Sequence, residues 1–126
     1  MERVRWEDYK RKKILVIDYS ELKAIKIEEK KSILQTIEKA IQVSAMKKGE
    51  KILFMTIAIN SQADSDVMNA LKAFAKFTAD NNLVDKECVV GISSIQKVLL
   101  SGVNLFSGGK MRAFDTLDQA REWLTN

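Results

Sequence analysis

The chain contains no proline, no histidine, one cysteine and only five glycines among its 126 residues. Without histidine there is no Ser-His-Asp or Cys-His nucleophile, and the commonest side-chain ligand of zinc and haem is missing. No cofactor is expected. A single cysteine, Cys88, rules out an internal disulfide and suits a reducing compartment, so a cytoplasmic location is expected. With no proline and little glycine there is no linker or low-complexity tract, and one domain over 1–126 follows. No apolar run nears the roughly 18 residues of a membrane span, and the N-terminus lacks the apolar core of a secretory signal. Neither stable membrane insertion nor export is expected. What is present is a globular balance, with 46% hydrophobic and 30% charged residues.

The net charge is +4, and most of the excess lies at the start. Arg3, Arg5, Lys10, Arg11, Lys12 and Lys13 stand there against Glu2, Glu7 and Asp8. A basic run of this kind serves nucleic acid or anionic membranes when aromatic residues and a second stripe accompany it. Here they do not, and a solvated turn ahead of a buried strand accounts for the run. No nucleic-acid partner is expected.

Short apolar runs alternate with helical periods. Ile14–Ile17 reads as a strand buried on both faces, preceded by a candidate strand at Val4–Glu7 and a turn over Tyr9–Lys12. A helix is expected over about 28–47, with Ile33, Leu34, Ile37, Ala40, Ile41 and Ser44 on one face and Gly49 beyond its end. Ile52–Ile59 is the next buried strand. A helix over about 64–80 follows, with Val67, Leu71, Phe74, Ala75 and Thr78 inward. Cys88–Ile92 is a third buried strand. Ser93 and Gln96 open a helix over about 93–106 that ends at Ser107-Gly108-Gly109. Lys110–Phe114 is a more polar strand near a sheet edge, and Thr116 and Gln119 box the start of a final helix. The order predicts an α/β fold. A mainly parallel sheet of four to five strands, with an N-terminal antiparallel hairpin, is flanked by about four helices.

Several pieces carry a family likeness. They are Ile17-Asp18-Tyr19-Ser20, Val90-Gly91-Ile92-Ser93-Ser94-Ile95-Gln96-Lys97, Asn104–Gly109, and the terminal Phe114-Asp115-Thr116-Leu117 with Ala120, Trp123 and Leu124. On these, over nearly its whole length, the chain resembles the STAS/SEC14-like proteins of the SpoIIAA-like superfamily. The resemblance implies a small bacterial α/β regulatory module that binds a protein partner. Its better-known relatives are switched by phosphorylation of a serine at the helix start after the central strand. By position that serine is Ser65, with Ser61 close by. The relatives' D-S-[ST]-G is here Asp64-Ser65-Asp66-Val67, and Asp64 or Ser61 also reads as a simple helix cap.

Three functions stay open. The first is a non-catalytic module working through a protein partner or a homodimer, on a surface that includes Met68, Lys72, Leu100 and Leu105. The second is a lipid or small apolar-ligand carrier of SEC14 type, its cavity lined by Met55, Ile57, Leu99, Val103 and Phe106. The third is an enzyme using Asp18, which would need a pKa raised by burial. Cys88 reads as a small apolar core residue, and Gly108-Gly109 follows a helix, the reverse of a phosphate loop.

Overall fold

A computed structural model describes residues 2–92 and 111–126. Five strands form one sheet in the order β1 (Val4–Tyr9), β2 (Lys12–Asp18), β3 (Ile52–Ile57), β4 (Val84–Val90) and β5 (Met111–Phe114). β1 and β2 are antiparallel, and each later neighbour is parallel. Three described helices flank the sheet: α1 (Ile27–Ala45), α2 (Ser65–Asp80) and α3 (Leu117–Thr125). The helix expected over 93–106, with Leu99, Leu100, Val103, Leu105 and Phe106, lies outside the described residues.

Strand alternation sorts the core into two layers. Leu15, Ile17, Ile52 and Phe54 point to one face and pack with Ile33 and Ile37 of α1 and Val67 of α2. Ile14, Val16, Leu53, Met55, Ile57, Cys88 and Val90 point to the other and pack with Ala120 and Leu124 of α3. Both faces are covered, which is why the central strands read as continuous apolar runs. Met55 and Ile57 thus belong to the α3 layer. The cavity expected between the sheet and the helix over 93–106 also needs Leu99, Val103 and Phe106, which lie outside the described residues.

The element boundaries shift for local reasons. The hairpin turn is the two-residue Lys10-Arg11, both with positive φ (49° and 67°), the geometry that matches strand twist. Lys10 pairs with Glu122 and Lys13 with Asp8, so part of the basic run is neutralised within the fold. α1 stops at Ala45, and Lys47 instead stacks over the Trp6 ring at 5.6 Å. β4 begins four residues earlier than Cys88, because Lys86 reaches the carbonyls of Trp123 and Asn126 and is thereby accommodated in a central strand. β3 ends at Ile57, yet Ala58 N–H still donates to Val90 O. The capping box at Thr116 and Gln119 forms as the sequence predicts.

Gly91 closes β4 at φ +82°, and a Cβ there would stand 2.4 Å from Ile59 Cγ1. Only glycine fits this junction. It lets the end of β4 pass close to Ile59 at the carboxyl ends of the strands, where open α/β sheets place their sites.

Candidate functional site

The carboxyl-end rim is built on Asp18, the last residue of β2. Asp18 is 4% exposed. Its Oδ1 accepts from Ser20 N–H at 2.9 Å, and its Oδ2 accepts from Arg5 at 3.3 Å. The Arg3 guanidinium lies 3.8 Å from Oδ1 and donates to the carbonyls of Asp18 and Ser20. Burial pushes the carboxyl up, but the bonds from Ser20 and Arg5 outweigh it and hold the pKa below the ordinary value. A general acid–base group near neutral pH needs the opposite shift. Asp18 is a structural anchor that ties β1 to the loop after β2.

From Asp18 the β2 and β3 loops run on side by side. Tyr19 N–H donates to Ile57 O, Glu21 N–H to Ile59 O, Ala24 N–H to Gln62 O and Gln62 N–H to Leu22 O. Glu21 and Asn60 both have positive φ, and Asn60 Nδ2 donates to Glu21 Oε1 at 3.0 Å. Such left-handed residues persist only where surrounding bonds fix them. Glu29 of α1 reaches back to accept from Lys23 N–H at 3.0 Å. Lys30 sits between the two helix starts, 2.7 Å from both Asp64 Oδ2 and Asp66 Oδ2. Its bonds to both carboxylates raise the Lys30 pKa, and its bond to Asp64, first among the causes, lowers that of Asp64.

This frame presents two isoleucines to water. Ile25 is 83% exposed and Ile27 is 82% exposed, on either side of Lys26. Hydropathy places isoleucine inside, so an exposed pair on a braced loop is the informative departure. Sequence reasoning passed over them. Their signal was the alternation Ala24-Ile25-Lys26-Ile27, apolar residues belonging to no buried period.

The serines lie along the same rim. Asp64 caps α2, its side chain accepting from Val67 N–H at 2.9 Å. Ser65 is exposed at the first helical residue, between the two carboxylates that Lys30 holds. Ser61 is half-buried, and its hydroxyl donates to Ala58 O at 2.9 Å. Met68 and Lys72 are half-buried on α2, a turn apart. Leu99, Leu100, Val103, Leu105 and Phe106 fall outside the described residues, so the structure does not place them against Met68 and Lys72.

Beneath α2 lies a cavity of about 110 Å³. Its walls include Ile17, Phe54 and Val89 from the sheet and Val67, Met68 and Leu71 from the helix. Tyr19 and Glu87, both buried, line it too. Burial pushes the Tyr19 phenol pKa well up. Among the described residues no group of three or more His, Cys, Asp or Glu is placed to hold a metal ion, and no helix is long and apolar enough to cross a membrane.

No curated protein and no solved structure matches the chain. A family model does, over residues 14–125, and its family consists in general of regulatory and binding modules rather than enzymes. The match spans β2 to α3, including the Asp18 anchor, the braced loops and the α2 start. The chain belongs to the SpoIIAA-like family.

Proposed function

We propose that this protein is a non-catalytic binding module that docks a protein partner on the rim formed by the loop after β2 and the start of α1. The observation that carries the reading is the exposure of Ile25 and Ile27 on a loop held by backbone bonds to Gln62 and by the Glu29 carboxylate. Each isoleucine gains roughly 1.5–3 kcal/mol when its side chain is fully buried. Because the loop is already ordered, little of that gain is lost to ordering on contact. The partner that fits offers an apolar recess for two branched side chains. Ser65 is exposed within the same rim, so a phosphate there would change the charge of this surface directly. The engaged Asp18, its pKa held below the ordinary value, supports the reading, because this strand-end carboxyl is not poised as an acid or base near neutral pH.

The test is site-specific photo-crosslinking in cells, with the probe at position 25 or at position 46. Met46 is 81% exposed at the opposite end of α1, so it controls for general stickiness. The reading predicts a discrete protein adduct at 25 and none at 46. Equal adducts at both positions, adducts only to lipid, or none at either would overturn it.

A further inference from the structure

The cavity beneath α2 contains a feature that the docking surface leaves unexplained. The Tyr19 hydroxyl is shut away from solvent and finds no hydrogen-bond partner among the described residues. Buried hydroxyls in native proteins almost always have one, so each exception calls for a reason. Phenylalanine would fill the same space with no stranded polar atom. Tyr19 lines the cavity and is 6% exposed. Its phenol stays protonated at any ordinary pH, since burial holds the ionised form off. It is therefore ready to donate to, or accept from, a molecule that enters.

Size and charge narrow what can enter. At about 110 Å³ the space compares with an apolar cavity of roughly 150 Å³ that takes one benzene ring. Ile17, Phe54, Val67 and Leu71 supply apolar walls, which disfavour a charged guest.

We propose that this cavity is a binding site for a neutral, single-ring molecule of the phenol or indole class, anchored by a hydrogen bond to Tyr19. The site is distinct from the Ile25–Ile27 rim and stands or falls independently of it. The ring replaces empty space between α2 and β3, and its one polar group meets the hydroxyl that the fold leaves unmet.

The experiment is a titration of the full chain with phenol and with benzene, followed by amide chemical shifts, on the wild type and on Tyr19→Phe. Phenol is expected to bind the wild type and to bind Tyr19→Phe about 5- to 10-fold more weakly, the worth of one net hydrogen bond. Benzene is expected to bind both proteins equally. Tyr19→Phe itself should melt no lower than the wild type, because the change removes an unmet polar group. Ala75 of α2 also lines the cavity, so a second variant, Ala75→Leu, narrows it and should weaken both rings. If Ala75→Leu fails to fold, the Tyr19→Phe comparison still decides. Absence of binding by either ring at millimolar concentration would overturn the proposal. So would an unchanged phenol affinity in Tyr19→Phe, or displacement of phenol by hexadecanoate, which would make this a lipid site.

Discussion

Replacing Asp18 by asparagine separates an anchor from a catalyst. The Asp18→Asn chain keeps one acceptor for Ser20 N–H but loses the charge that faces Arg3 and Arg5. Removing one partner of a fully buried ion pair costs about 3–5 kcal/mol. Arg3 and Arg5 retain 28% and 33% exposure, so water compensates part of that. A cost of about 2 kcal/mol remains, close to that of one hydrogen bond to a charged group. For a chain of this length it corresponds to a fall in Tm of about 8 °C. The pH dependence gives a second reading. The folded-state pKa of Asp18 is lowered, so the unfolded chain takes up this proton first as pH drops below about 4. The stabilisation is present above that pH and is lost as pH falls through the folded value. Thermal melts followed by circular dichroism from pH 7 to pH 3 should show the gap between wild type and Asp18→Asn closing at the acid end. An unchanged Tm at pH 7, or a gap that does not close, would refute the anchoring role.

Two further outcomes follow from the strand ends and the core. Gly91→Ala should cost about 3 kcal/mol in chemical denaturation, because φ is +82° and the added Cβ would meet Ile59 Cγ1 at 2.4 Å. Gly49→Ala has positive φ but open space around it, and should cost only about 1 kcal/mol. Cys88 is fully buried, and burial, with Glu87 beside it, pushes its thiol up from 9.0 to about 12. Ellman's reagent should therefore leave the native chain untouched at pH 8 and label it on unfolding. Because the folded value is raised, the thiol's contribution to stability is intact below about pH 9 and is lost as pH rises toward 12.

The sheet was legible where burial on both faces writes an unbroken apolar run, as in Ile14–Ile17 and the core of β3. It was less legible in β4. Asp85, Lys86 and Glu87 interrupt the hydropathy there, and they are tolerated because Lys86 reaches α3 and stacks on the Trp123 ring at 5.2 Å. No local pattern foretells a partner 37 residues away. The inward faces of α1, α2 and α3 followed from the 3.6-residue period, and the caps at Asp64 and Thr116 from residue chemistry. The candidate site was harder to read. Periodicity names Val67 and Leu71 as inward, but not that they line a cavity together with Tyr19 and Phe54. It also ranks isoleucine as interior, so the exposure of Ile25 and Ile27 contradicts the rule by which sequence is read. Asp18 was found as a strand-end carboxylate, and only the geometry of Arg3, Arg5 and Ser20 shows it engaged.

The proposed docking rests on two isoleucines of the braced rim holding a protein partner. Its most direct measurement is calorimetric titration of the partner identified by crosslinking against the wild type and against Ile25→Asp/Ile27→Asp. Both side chains are more than 80% exposed, so the double variant should keep its Tm. Loss of about 3 kcal/mol of apolar burial predicts affinity at least 100-fold weaker. Equal affinity for the two proteins would contradict the account.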